Sequence, residues 1–329
     1  MLPEDINLIR RTLPDALQID YYAGREAPWT LSQLMTGDAR IADLRSGPLA
    51  RFLSRPLVRD IVARSGDGRL RHMDVLAAGD AARAGALPGV SAAGRAALDA
   101  AYKGPWRDYV VTFESWGTGR DDWRWGQMSR PGGNLVVQLG FPSDHGPLFG
   151  QYLATKDRSR FEFAGHPVRT EGRPTLAWVR LDVDLARGIA LIEEVQSDWI
   201  RFVGEEVDWM AEAQPRAREL RTLQAYRARL VERYGREWSS VAMLAALIVL
   251  RDEIGVHEVY MHTADTGERL KACGGPRSLY TRLPKSFGFR LVRDVPPFLE
   301  KPRKKEIGRL KRSGDPVFWR LSFGRDGAA

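Results

Sequence analysis

Residues 175–196 read TLAWVRLDVDLARGIALIEEVQ, two apolar runs on either side of a short link that ends in glycine. Apolar runs of strand length, bounded by turn residues, pair as a hairpin. Strands are therefore expected over 175–183 and 189–196, with a turn at 184–188 (DLARG). Downstream the period changes. Leu220, Leu223, Tyr226, Leu230 and Tyr234 recur three and four apart and predict an amphipathic helix within 203–234. Ser239 or Ser240 is placed to cap a second helix that runs to about residue 254 and ends at Gly255; its VAMLAALIVL segment is apolar nearly all round and is expected to be buried. A strand at 256–262 (VHEVYMH), helical turns at 266–271 and 278–285, and strands at 289–292 and 317–323 complete the half. Together these elements predict an α/β (α+β) chain with a mixed, mainly antiparallel sheet flanked by helices.

Working outward, alternating segments at 109–113 and 134–139 add two strands. Trp106, Trp116, Trp123 and Trp125 mark a change of composition after an Ala- and Arg-rich stretch at 77–101. A boundary near residue 103 divides a helical, irregular extension (1–102) from an α/β domain (103–329) whose core starts at about 175. With 329 residues, 43% apolar and 28% charged, the chain is neither disordered, collagen-like nor a small stapled module. Its longest apolar run, 241–250, is about half a membrane-spanning helix, and MLPEDINLIRR lacks the apolar core of a signal peptide. The one cysteine, Cys273, allows no intrachain disulfide and no multi-cysteine zinc site. A cytoplasmic setting without membrane contact is expected. Of the net charge of +8, most resides in 301–312 (KPRKKEIGRLKR), with seven Lys/Arg against one Glu. That segment is either a solvated basic loop or a patch for the phosphates of nucleic acid or a nucleotide cofactor.

Chemistry concentrates at 193–199 (EEVQSDW), where an apolar strand ends in carboxylates, a carboxamide and a hydroxyl. Strict alternation would put Glu194, Gln196 and Asp198 on one face and Glu193, Val195 and Ser197 on the other. The bland alternative is that Asp198 caps the next helix and Gln196 bonds backbone. Asp182 or Asp184 followed by Glu194-Val195-Gln196 imitates the carboxylate spacing of PD-(D/E)xK nucleases, with Gln in the Lys position. His72, His145, His166, His257 and His262 show no HxH or HxxxH spacing, so no metal site is expected. His262 ends a predicted strand beside Thr263 and Asp265, as a substrate contact or a core histidine. Arg25, Glu26 and Trp29, and Gln127, Ser129, Arg130 and Asn134, lie near glycine-bearing turns. The tryptophans are core residues or base-stacking platforms. Lys285 approaches a phosphate or faces water, and Cys273 is not expected to act as a nucleophile.

The order of elements from residue 175, with the closing segment YTRLPKSFGF (280–289), resembles the core of the GNAT superfamily of N-acetyltransferases. The resemblance implies transfer of an acyl group from acetyl-CoA or another acyl-CoA to an amine acceptor, which can be a small molecule, a protein or RNA. It implies Glu194 or Asp198 as general base with Gln196 beside them, Tyr280 as the acid that protonates the departing thiolate, and Glu193, Trp199, His262 and Thr263 at the acceptor. It also implies pyrophosphate at the start of the 240–254 helix. GREWSS (235–240) stands there in place of the usual glycine-rich loop, offering Arg236, Trp238, Ser239 and Ser240, with Lys285 in support. The same fold without its cofactor would be a noncatalytic binding protein. The EEVQSDW segment is also similar to a segment of polyvalent proteins of bacteriophages and mobile elements.

Overall fold

The computed structural model describes residues 1–80, 87–118, 123–154, 159–169, 172–213, 217–271, 276–314 and 317–324, with the side chains of Tyr102 and Trp123 excepted. Ten strands occur among them: β1 (Leu17–Tyr21), β2 (Ala39–Arg40), β3 (Arg69–Leu70), β4 (Arg107–Trp116), β5 (Asn134–Gly140), β6 (Thr175–Asp184), β7 (Ile189–Gln196), β8 (Glu258–His262), β9 (Arg290–Val292) and β10 (Phe318–Ser322). Eight form one sheet in the order β1-β4-β5-β6-β7-β8-β10-β9, and β2 pairs with β3. Neighbours are antiparallel except β7 and β8, which run parallel from Ile189 opposite Glu258 to Ile192 opposite Met261. A parallel pair needs a crossover, and the helices between residues 198 and 253 supply it. The mixed, mainly antiparallel sheet with flanking helices is thus the architecture read from the sequence.

Each face of the sheet buries a different set. Leu135, Val137, Val179, Leu181, Ile192, Val195, Met261 and Trp319 pack with the Trp238–Ile248 helix in the largest core. On the opposite face, Leu191, Tyr260 and Phe318 lie beneath Phe298, Leu299, Ile307 and Leu310, while Trp116, Val136 and Trp178 surround Met128. A further core of Leu31, Phe52, Val58, Ile61 and Val75 binds the N-terminal helices together. The sheet crosses residue 103. β1, in a stretch whose sequence reads as helical and irregular, pairs with β4, and Ile6 and Ile9 of the Pro3–Thr12 helix join the main core.

The hairpin turn depends on Gly188, whose φ is +59° and whose carbonyl accepts the His257 N–H at 2.9 Å. A Cβ there would lie 2.5 Å from His257 Nδ1. Gly188→Ala is therefore expected to destabilise the protein by about 1–3 kcal/mol, read as a lower denaturant midpoint with an unchanged m-value.

Three local expectations need correction. The helix expected within 203–234 begins earlier, at Asp198, and is two helices, Asp198–Glu212 and Ala217–Leu230, with a π-turn at Val231–Gly235. Ser197, not Asp198, is its cap: Ser197 Oγ accepts the Ile200 N–H at 3.2 Å. Neither Ser239 nor Ser240 caps the next helix, which starts at Trp238 after Glu237 without a side-chain cap. Among the described residues, no helix is long and apolar enough to cross a membrane. Cys273 lies outside the described residues.

Candidate functional site

β7 carries an irregularity that reorganises the EEVQSDW segment. Arg180 pairs with Glu194 and Leu181 with Ile192, so Glu193 is the extra residue of a β-bulge. A bulge cancels strict alternation. Glu193 does not face away from Glu194, as the sequence pattern predicts; both carboxylates meet polar partners on the Trp178 face. Arg180, fully buried, bonds Glu194 through Nε at 3.1 Å and also through Nη2. Its guanidinium stacks 5.1 Å from the Trp116 ring and donates to the Gln127 carbonyl at 2.9 Å.

Glu193 sits deeper, in a closed set. Ser129 donates its N–H to Oε1 at 3.0 Å and its hydroxyl to Oε2 at 2.8 Å, and His262 Nε2 lies 3.1 Å from Oε2. Lys271 Nζ is 3.9 Å from Oε2 and bonds the Glu193 backbone carbonyl, just beyond the last β7–β8 pair. Glu193, His262, Ser129 and Arg180 are fully buried, and Lys271 is nearly so. Burial alone would raise the Glu193 carboxyl's pKa; His262, Lys271 and Arg180 outweigh it and hold the group well below the usual carboxylate range. Burial, aided by Lys271, pushes His262 below the usual imidazole value. Two carboxylates, Glu193 and Glu194, thus meet two cations, Lys271 and Arg180, in one buried set. Although Ser129 Oγ is 2.8 Å from His262 Nε2, Glu193 meets that same nitrogen and not Nδ1, so the three do not form a nucleophile–base–orienter relay.

At the end of β7 the chemistry reaches solvent. Asp198, in the first turn of its helix, places both oxygens 2.9 Å from His166 Nδ1. It also accepts the Trp178 indole N–H at 3.2 Å, the Gln196 carboxamide, and Arg201 at 3.2 Å. His166 is 13% exposed, and the rings of Phe163, Trp178 and Trp116 stand 4.8, 5.4 and 6.0 Å from it. Nδ1 is directed at the carboxylate, so Nε2 is the ring nitrogen left for other chemistry. Burial opposes ionisation of Asp198, yet His166, Trp178 and Gln196 bring its pKa below the ordinary value. A carboxyl whose folded pKa is depressed contributes stability above its unfolded pKa of about 3.9, lost as pH falls through the lower folded value. Acid melts should therefore show Asp198→Asn flattening the loss of stability below about pH 4.

The remaining residues separate. Tyr280 is buried, its carbonyl accepts the Trp319 indole N–H at 2.7 Å, and its ring lies 6.0 Å from Lys271 Nζ. Trp199 is fully buried and donates to Tyr226 Oη at 2.7 Å. Thr263 caps the Ala264–Leu270 helix. The carboxylates of the nuclease spacing are each held by a cation: Asp182 by Arg130 at 2.7 Å and the Met1 amino group at 3.0 Å, Asp184 by Arg187 at 2.7 Å, and Glu194 by Arg180. That leaves few open oxygens for a divalent ion. Gln127, Ser129, Arg130 and Asn134 roof the buried set. Arg25 bonds the Gly79 carbonyl at 2.8 Å, Glu26 accepts from Tyr21 at 3.0 Å, and Trp29 is core.

Trp238, Ser239 and Ser240 form the first turn of their helix, with Arg236 two residues before it. The Glu237 carboxyl at that helix start accepts from Tyr109 Oη at 2.9 Å and pairs with Arg107 at 3.1 Å. That carboxyl bonds none of the first N–H groups of the helix, which has no side-chain cap. Lys285 lines a separate cavity between other elements. The sequence reading missed His166 and Lys271, which no spacing could reveal: His166 lies 32 residues from Asp198 and Lys271 lies 78 from Glu193. No family model, curated protein or solved structure matches the chain.

Proposed function

We propose that the chain is an acyltransferase-like enzyme that moves an acyl group from an acyl-CoA thioester to an amine, with His166 as general base. The observation that carries this reading is the His166–Asp198 pair, a 13% exposed imidazole oriented through Nδ1 by a buried carboxylate beyond the end of β7. In this reading Asp198 fixes the ring and stabilises the imidazolium formed when Nε2 takes the amine proton. Gln196 steadies Asp198, and Glu194, committed to Arg180, keeps the strand end in shape. The element order from β6 onward, with a helix joining the parallel β7 and β8, supports the GNAT-like reading. Exposed Lys301, Lys304, Lys305, Arg309 and Arg312 support a nucleic-acid contact along 301–312. A single cysteine supports a reducing, cytoplasmic setting.

The test is thiol release from acetyl-CoA in the presence of small amines, a lysine-containing peptide and RNA, with melting temperature followed in parallel. Amine-dependent thiol release is expected. If acetyl-CoA neither reacts nor raises the melting temperature, the acyltransferase reading falls and the noncatalytic one replaces it.

A further inference from the structure

A second concentration of positive charge lies away from the His166–Asp198 pair. A cavity of about 620 Å³ opens between the Ala50–Leu53 helix with its following turn and the segment 282–291. Arg51, Arg55, Arg282, Lys285 and Arg290 line it, and no carboxylate does. None of the five meets a carboxylate within 4 Å among the described residues. Elsewhere the chain pairs its arginines closely: Arg130, Arg173, Arg233 and Arg320 each meet a carboxylate at 2.7 Å. Five like charges around one concavity repel one another and focus a positive potential into it. That cost is offset when an anion binds.

The floor of the cavity is aromatic. Phe52, Phe289 and Trp319 are buried beneath the cations, and Lys285 Nζ lies 5.9 Å from the Trp319 ring centroid. The two walls are joined tightly. Gly288 adopts φ +76°, and a Cβ there would lie 3.0 Å from Phe52 Cζ and 3.2 Å from Leu34 Cδ1. The glycine of the closing SFGF segment thus lets the 282–290 wall press on the N-terminal helices, bringing cations from both ends of the chain to one rim. The volume is within the range of a small-molecule cleft. Arginine forks match phosphate oxygens, and an apolar floor suits a flat ring.

We propose that this cavity binds an organic polyphosphate with a flat ring, of the kind carried by a nucleoside triphosphate or by the nucleotide end of CoA. The inference stands on the cavity alone and does not depend on the acyl-transfer reading.

Titration calorimetry on the full chain with ATP, CoA, inorganic tripolyphosphate and a twelve-nucleotide single strand tests it, the first two probes distinguishing the sources. ATP or CoA is expected to bind more tightly than tripolyphosphate and to weaken as salt rises. The variant Arg282→Ser/Lys285→Ser alters exposed side chains and should keep the wild-type melting temperature. It is expected to lose about tenfold or more in affinity. Arg218→Ser/Arg221→Ser, on exposed side chains outside the cavity, should bind like wild type. No binding by any of the phosphate probes overturns the proposal. So does equal binding by the Arg282/Lys285 variant, and so does capture of the oligonucleotide with neither ATP nor CoA bound, which would make the surface a nucleic-acid site.

Discussion

His166→Ala is expected to lower the rate of amine-dependent thiol release by about 10²- to 10⁴-fold, the usual contribution of a positioned general base. The loss should fall on kcat, because the imidazole acts on the proton that leaves as the new bond forms and not on the acceptor's resting state. Folding should survive, since Asp198 keeps Trp178, Gln196 and Arg201 as partners. Added imidazole is expected to restore part of the rate to His166→Ala, a readout that a purely structural histidine would not give. Asp198→Asn should also slow the reaction, by removing the acceptor that orients Nδ1. A rate unchanged in His166→Ala would take the base away from this pair.

Glu193→Gln is expected to cost about 3–5 kcal/mol of stability, the typical result of breaking a buried pair by removing one charge. The neutral amide leaves Lys271 with less compensating charge in a buried setting, and it presents an N–H₂ where Ser129 and His262 both approach a carboxylate oxygen. Lys271→Met should be destabilising for the converse reason, leaving Glu193 without its nearest ammonium. In the double variant the two costs should partly cancel, so a double-mutant cycle in denaturant reads the coupling directly. Total stabilities of about 5–15 kcal/mol make either single change a large fraction of the whole. Single costs under about 1 kcal/mol would show that the Glu193 set is hydrated and not a sealed balance.

The placement of these groups shows how far the carboxylates' partners lie from them in the sequence. Glu194 reads as a candidate general base and Glu193 as an acceptor contact, yet the bulge turns Glu194 toward Arg180 and Glu193 toward Lys271 and His262. Asp198 reads either as a general base or as a helix cap; Ser197 takes the capping, and the carboxylate meets a histidine whose own neighbours carry no signal of it. Lys285 reads as a phosphate contact or a solvent-facing lysine, and its companions in the cavity, Arg51 and Arg55, lie more than two hundred residues away in the chain.

Composition and periodicity were sufficient for the β6–β7 hairpin, the buried helix before Gly255, the late strands and the mixed, mainly antiparallel class. Each of these rests on local spacing, on turn residues and on burying one apolar face, which neighbouring residues dictate. The bulge at Glu193, the pairing of β1 with β4, the meeting of His166 with Asp198 and the gathering of five cations around Phe289 and Trp319 were settled by packing. They join residues far apart in the chain, and such contacts exist only once strand register and helix docking have closed the loops between them.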